Sequence, residues 1–108
     1  MKIRPKGHWG PYLWGFIHTI TMIDYDNNET YNTNIREVLR ELKDCFPCPS
    51  CKDKYINYLE KLNNLNMQEP LVLFKWSVEL HNEVNRKLNK PEWTYEMALM
   101  KWGNQIEG

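Results

Sequence analysis

Prolines separate the segments of this 108-residue chain that have helical periodicity. Pro11, Pro49 and Pro70 each stand in the first turn of such a segment, where the missing proline N–H is not needed. Pro47 and Pro91 follow segment ends, because proline disfavours helical backbone in the residue before it. No segment has the two-residue alternation of a convincing strand. The pattern therefore predicts an all-α protein.

The chain is expected to form one helical bundle with a single core. Residues 1–108 are predicted to be one domain, with a core from about 9 to 103, because the sequence holds no repeat, low-complexity run or linker. Asn34, with Glu37 three residues later, and Thr94 are predicted helix N-caps. The five predicted helices cover about 10–23, 35–45, 49–62, 70–88 and 95–102.

Composition excludes several classes of function. The chain has 14 basic and 14 acidic residues and a formal net charge of zero, so no nucleic-acid partner is expected. No apolar run reaches the length of a membrane span, so no membrane partner is expected either. The first ten residues lack the apolar region of a secretory signal.

All three cysteines lie in the stretch CFPCPSC, residues 45–51. Such a local cluster cannot brace a whole fold, so a disulfide scaffold is excluded. Cys48 is predicted to cap a helix whose next turn carries Cys51. The helix N-terminus favours a thiolate, and a thiolate is the nucleophile in disulfide exchange. From the C-x2-C spacing alone, redox chemistry and metal binding are about equally supported.

The alternative interpretation is a non-catalytic zinc or iron–sulfur module that uses Cys45, Cys48 and Cys51. Three thiols would need a fourth ligand, which His18 or His81 could supply. Because proline at position 47 breaks the helix between the first two thiols, the three need not converge. The sequence therefore favours the redox interpretation.

Two helix faces combine rings with hydrogen-bonding groups. His81, Val84, Asn85 and Leu88 follow the i, i+3, i+4, i+7 spacing of one face. An unpaired polar group buried on that face would cost about 1–3 kcal/mol. The polar groups either bond to neighbouring helices or meet a ligand. Further rings, namely Trp14, His18, Trp76, Trp93 and Trp102, favour a cleft for a large planar cofactor.

The ordered motifs resemble those of the Erv/ALR sulfhydryl oxidases, especially the short single-domain members from large DNA viruses. The resemblance extends from about Gly10 to Trp102. It rests on G-x3-W-x3-H (Gly10, Trp14, His18), C-x2-C (Cys48, Cys51), W-x4-H-N-x-V-N-x2-L-x-K (Trp76, His81, Asn82, Val84, Asn85, Leu88, Lys90) and the pair Lys101-Trp102.

The resemblance implies a four-helix bundle with a short fifth helix and FAD bound at the mouth of the bundle. It also implies which residues contact the cofactor, with the last two at the adenine end. These are Gly10, Trp14, His18, Tyr25, Tyr55, His81, Asn82, Val84, Asn85, Leu88, Lys90, Lys101 and Trp102.

The resemblance further implies a mechanism and partners. Cys48 would exchange with a substrate thiol, and Cys51 would pass two electrons to FAD and so to dioxygen, giving hydrogen peroxide. Substrates would be protein thiols or a separate thioredoxin-like shuttle, and the enzyme would be a homodimer. A viral member would work in the host cytoplasm at assembly sites or in the virion, and a cellular member in the mitochondrial intermembrane space.

Two positions depart from the family pattern. Val78 stands where a second structural disulfide is usual, and Pro11 replaces a common arginine. Cys45 has no role in the implied mechanism. It could bridge a dimer, accept electrons or be buried, and we expect it to be buried as a small hydrophobic residue.

Overall fold

The computed structural model describes residues 6–22, 29–46, 49–67 and 69–103, which contain helices and connections and no strand. The helices are α1 (Lys6–Met22), α2 (Glu29–Glu41), α3 (Pro49–Leu59), α4 (Val72–Lys87) and α5 (Tyr95–Ala98). Tighter 3₁₀ turns, Leu42–Cys45 and Glu60–Asn64, follow α2 and α3, and a π-turn, Leu99–Gly103, follows α5. The prediction of an all-α protein with four long helices and a short fifth is confirmed.

The first two helices begin earlier than predicted. α1 starts at Lys6, so Pro11 lies inside it and removes one backbone hydrogen bond. α2 starts at Glu29, so the expected cap Asn34 lies within the helix. Tertiary contact explains this extension, because Tyr31 packs against the core and donates a 3.2 Å hydrogen bond to the Ile20 carbonyl of α1.

The C-terminal end of α4 forms a complete Schellman motif. Asn89 adopts the left-handed conformation with φ 57°. Its N–H donates to the Arg86 carbonyl at 3.2 Å, and the N–H of Lys90 donates to the Asn85 carbonyl at 2.8 Å. These two bonds satisfy carbonyls that have no partner within the helix. The motif ends α4 and directs the backbone at Lys90 back toward the last turn of this helix.

The helices pack around two apolar clusters. The larger one contains Ile17, Leu39 and Leu62, each with no exposed surface, and it joins α1, α2 and α4 to the turn after α3. The smaller one joins α4 to α5 through Phe74, Val78 and Ala98. Val78, at the position of the absent disulfide, is only 6% exposed. Apolar packing therefore connects α4 with α5 at this point.

Weak surface contacts add little to this core. The Lys52–Asp44 pair is 3.1 Å long, and both of its side chains are exposed. Such pairs contribute about 0–1 kcal/mol each. None of the described helices is long and apolar enough to cross a membrane.

Candidate functional site

A cavity of about 400 Å³ opens between α1, α3, α4 and the segment that follows α5. Its volume lies within the range of small-molecule sites, about 300–1,000 Å³. Most of the side chains that the sequence indicated line its wall. They are Gly10, Trp14, Cys51, Tyr55, His81, Val84, Asn85, Leu88, Lys90, Lys101 and Trp102.

Two of the indicated residues within the described ranges, His18 and Asn82, do not line this cavity. His18 lies behind the wall and is 1% exposed. Asn82 lies one position after His81, about 100° further around the helix, and so faces another direction. Tyr25 and Cys48 lie outside the described residues.

Two rings form a flat stack on the cavity wall. Trp14 of α1 and His81 of α4 are stacked, with ring centroids 3.9 Å apart and planes 8° apart. The stack forms because α1 and α4 pack side by side and each contributes one ring from its inner face. Trp102 lines the same cavity, and its ring centroid lies 5.1 Å from that of His18. The wall therefore suits a planar ligand, since offset aromatic stacking is favourable.

A buried hydrogen-bonded chain supports this stack from behind. His18 Nε2 lies 2.9 Å from His81 Nδ1, and His18 Nδ1 lies 2.9 Å from Ser77 Oγ. Thr21 Oγ1 is 3.2 Å from the same serine oxygen. Since His18 and Ser77 are both buried, the two 2.9 Å contacts fix the orientation of the His81 ring.

Both histidines are neutral near pH 7. Burial, followed by the electrostatic effects of His81 in its protonated form and of Lys101, lowers the pKa of His18 to about 3. Burial, followed by the charges of Lys101 and Lys90, lowers the pKa of His81 to about 4. A neutral imidazole donates one hydrogen bond and accepts another. The pair therefore contributes hydrogen bonds, not charge, to the wall.

Asn82 connects α4 to the segment before α5. Its Nδ2 donates to the Trp93 carbonyl at 2.7 Å, and its Oδ1 accepts from the Trp93 N–H at 2.8 Å. Lys101 Nζ then lies 5.0 Å from the ring centroids of both Trp93 and Trp102, within cation–π range. Asn82 therefore helps to position the Lys101–Trp102 side of the cavity.

The charged side chains on the cavity wall are all lysines: Lys54, Lys87, Lys90 and Lys101. No carboxylate is among the described residues that line it. Four cations around one opening favour an anionic ligand such as a diphosphate. The sequence analysis missed Lys54 and Lys87, although both stand three residues, or about one turn, after an indicated position (Cys51 and Val84).

Cys51 lies at the start of α3 and lines the cavity. Tyr55, one turn later, is 2% exposed, and its hydroxyl donates to the Leu39 carbonyl. Burial, followed by the electrostatic effect of Cys45, raises the pKa of Tyr55. Phe46 packs on the Tyr55 ring with a centroid distance of 4.7 Å. Tyr55 is thus a fixed, neutral ring one helical turn from Cys51.

Cys45 is exposed, contrary to the expectation that it is buried. It ends a short 3₁₀ turn, none of whose residues is buried, and so it lies outside the core. Within the described ranges, no three His, Cys, Asp or Glu side chains are grouped closely enough to hold a metal ion. Cys48, which the metal alternative requires, is not in those ranges.

Residues 11–106 match the model of the Erv1 / Alr family. A putative FAD-linked sulfhydryl oxidase of Frog virus 3 is 34% identical over 92% of this chain and 68% of its own length. The FAD-linked sulfhydryl oxidase of an African swine fever virus isolate is 30% identical over 87% of this chain and 85% of its own. A probable FAD-linked sulfhydryl oxidase of Acanthamoeba polyphaga mimivirus is 30% identical over 84% of this chain.

The matched length differs between relatives. The chain spans 66% of the mimivirus protein and 51% of an Arabidopsis thaliana FAD-linked sulfhydryl oxidase. Among solved structures, a double Cys-to-Ser mutant of Erv1 from Saccharomyces cerevisiae shares the fold, with a TM-score of 0.80 over 96% of this chain and 88% of that one, at 20% identity. Because the family model matches residues 11–106, the chain belongs to the Erv1 / Alr family.

Proposed function

We propose that this chain is an FAD-linked sulfhydryl oxidase that forms disulfide bonds in protein thiols and uses dioxygen as the final electron acceptor. The observation that carries the proposal is a single cavity that joins Cys51 to a stacked aromatic wall and four lysines. Family membership and the activity named for the viral relatives support it.

The residues around the cavity fit FAD. The cofactor has two flat ring systems joined by a diphosphate. The Trp14–His81 stack and Trp102 supply aromatic surface, and the lysines supply positive charge for the diphosphate. Leu13, Ile17 and Leu80 add an apolar surface that excludes water. The wall therefore meets both chemical demands of the ligand.

The indicated residues divide into two groups. Gly10, Trp14, Tyr55, His81, Val84, Asn85, Leu88, Lys90, Lys101 and Trp102 line the cavity and would contact the cofactor. His18 would act through His81, and Asn82 would act by fixing Trp93. Tyr25 stays a proposed contact on the family resemblance alone.

Bound FAD would supply the capacity to take two electrons from the reduced Cys48–Cys51 pair, whose disulfide bond then re-forms, and to transfer them to dioxygen, which becomes hydrogen peroxide. The chain's own cysteines would carry out the exchange. A substrate thiolate attacks Cys48 Sγ, which breaks the Cys48–Cys51 bond and leaves Cys51 as a thiolate. A second substrate thiolate attacks the substrate sulfur of the mixed disulfide and releases the Cys48 thiolate together with the oxidised product.

The position of Cys51 suits this task. It stands in the first turn of α3, where the helix dipole favours negative charge. Lys54, three residues later, lines the same cavity and adds a positive charge. Both effects stabilise a thiolate on the sulfur that faces the cofactor wall.

The finer aspects of the proposal follow from the family. The thiol substrates are proteins or a separate thioredoxin-like shuttle, as the family resemblance implies, and the cysteines of the given sequence all lie within residues 45–51. The enzyme is a homodimer, for which the outer face of α1, with Tyr12 78% and Phe16 40% exposed, offers an apolar surface. Similarity to viral proteins favours the host cytoplasm or the virion, and a cellular member would work in the mitochondrial intermembrane space.

The decisive experiment is a visible absorption spectrum of the purified chain, followed by oxygen consumption with a dithiol. We expect a flavin doublet that survives gel filtration, and oxygen uptake that yields hydrogen peroxide. A colourless protein that still binds no FAD after reconstitution would contradict the proposal. Zinc or iron at one equivalent in that protein would instead favour the metal-binding alternative.

A further inference from the structure

Ser77 is a fully buried serine behind the cavity wall, with no exposed surface. Its Oγ lies 2.7 Å from the Phe74 carbonyl oxygen, one turn earlier in α4. A carbonyl oxygen only accepts, and a serine hydroxyl has one proton. The proton of Ser77 is therefore directed to Phe74. Thr21 Oγ1, at 3.2 Å, is farther away and donates to the Ile17 carbonyl at 2.8 Å.

This assignment determines the proton positions on the two histidines. Because the Ser77 proton is used, His18 Nδ1 must donate to Ser77 Oγ across their 2.9 Å contact. A neutral His18 then has no proton on Nε2, which must accept. His81 Nδ1 lies 2.9 Å from that nitrogen and must donate to it. A neutral His81 is therefore left without a proton on Nε2.

We propose that Ser77 is a positioning residue that fixes both histidines as Nδ1–H tautomers, so that His81 presents the lone pair of Nε2 to a ligand. The inference rests on the proposed function for the identity of that ligand. All hydrogen bonds of the buried chain point the same way: His81 donates to His18, His18 donates to Ser77, and Ser77 donates to the Phe74 carbonyl. Each bond in it fixes the direction of the next.

The remaining nitrogen of His81 is accessible. The structure gives Nε2 no hydrogen bond to a described residue, and among the described residues Arg36 Nε is the one buried side-chain polar atom without a partner. Nε2 therefore contacts solvent. Trp14 covers one ring face and His18 occupies Nδ1, so a ligand reaches His81 through Nε2 or the other face.

This tautomer selects what part of the ligand lies beside His81. A bare Nε2 accepts a hydrogen bond from a sugar hydroxyl or an amino group. It repels a phosphate oxygen, which also only accepts. We therefore expect the diphosphate of FAD to lie toward the lysines, and a donor group of the ribose, ribityl chain or ring systems to lie beside His81. In a different tautomer, His81 would not discriminate in this way.

The test is a long-range ¹H–¹⁵N spectrum of the full chain as purified, with ¹⁵N-labelled histidine, at about pH 7. We expect both His18 and His81 to carry their proton on Nδ1. A proton on Nε2 of His81 would overturn the proposal. The measurement reads the histidines whether or not flavin is bound. Failure of the proposed function, seen as a chain that binds no FAD, is thus distinguishable from failure of this inference.

Ser77→Ala removes the hydroxyl without adding volume to a fully buried position. We expect the His18 and His81 ¹⁵N signals to shift toward a mixture of tautomers, and FAD to bind about tenfold more weakly, as for the loss of one hydrogen bond. Unchanged tautomers in Ser77→Ala, or changed tautomers with unchanged FAD affinity, would each contradict the positioning role.

Thr21→Val is the matched control. It removes a neighbouring hydroxyl of the same buried group but leaves the Phe74–Ser77–His18 contacts in place. The tautomers and the FAD affinity should stay as in the wild type. A change as large as that of Ser77→Ala would mean that general loosening of the core, not the serine proton, controls the histidines.

Discussion

The two ends of the cavity are built in different ways. At the α1–α4 end, His18 and Ser77 are buried and joined by hydrogen bonds, and His81 is stacked on Trp14. At the α3 end, Ser50 is exposed and Cys51 is half-buried. A cofactor needs a preformed surface, whereas a protein thiol needs access. The difference fits the proposal that one end is organised for cofactor binding and the other for thiol exchange.

The largest expected effect comes from the exchange end. Cys51→Ser should lower dithiol oxidation by at least about a thousandfold, because it removes the thiol that we propose reduces the flavin. The purified variant should keep its flavin, since the binding end is unchanged. Oxygen-electrode assays and the visible spectrum measure the two properties. Cys45→Ser is the control and should keep full activity; an active Cys51→Ser would exclude the proposed thiol chemistry.

At the binding end, Trp14→Ala should weaken FAD binding and leave the cysteines in place. Loss of stacking and apolar contact should cost about 2 kcal/mol, which is about thirtyfold in the dissociation constant. Flavin fluorescence titration gives this value. Tyr12→Ala, on the exposed outer face of the same helix, should bind FAD as the wild type does. An equal loss of FAD affinity in both variants would contradict the placement of Trp14 in the cofactor site.

The buried histidines should make stability depend on pH. Their pKa values are lowered in the folded state, to about 3 and about 4, so the unfolded chain binds more protons below its own pKa of about 6.5. The stabilisation is therefore complete above about pH 6.5 and is lost as the pH falls toward the folded pKa values.

Because His18 is buried in its neutral form, the free energy of unfolding should be lower at about pH 5 than at pH 7 by up to about 2 kcal/mol. The partly exposed His81 should contribute less. Urea unfolding at the two pH values measures the difference. His18→Gln should reduce the pH dependence below that of the wild type. The same slope in both proteins would mean that His18 is protonated in the folded state or that other groups cause the slope.

The smallest effect is expected at the surface of the exchange end. Lys52→Ala removes the exposed pair with Asp44 and should change the free energy of unfolding by less than about 0.5 kcal/mol. Urea denaturation tests this, with Leu39→Ala in the core as the contrasting variant, expected to lose about 2–5 kcal/mol. A Lys52→Ala loss comparable to that of Leu39→Ala would mean that the exchange end is as firmly held as the binding end.

Helical spacing was sufficient to predict the fold class and the face of α4. His81, Val84, Asn85 and Leu88 line the cavity because residues three and four apart share one side of a helix. Helix starts were less predictable. α2 begins five residues before the predicted cap Asn34, because contact of Tyr31 with α1 determines that start and no local signal reports it.

Some properties of the site depend on neighbours that are distant in sequence. In the sequence, Lys54 and Lys87 resemble ordinary solvent-exposed lysines. Only the packing of α3 beside α4 brings them to one opening. Ser77 is separated from His18 by 59 positions, so the chain gives no local indication that the two bond. Asn82 shares a motif with His81 but faces Trp93, because adjacent residues on a helix face different directions.

The left-handed turn at Asn89 limits which sequences can preserve the cavity. Only glycine, asparagine and, less readily, aspartate adopt this backbone conformation at low cost. Position 89 therefore tolerates few residue types, although the Asn89 side chain is exposed. A β-branched residue at position 89 would disrupt the two hydrogen bonds of the Schellman motif. Lys90 would then be displaced from the cavity opening that it lines. In a library of variants, this surface position should tolerate fewer substitutions than its exposure suggests.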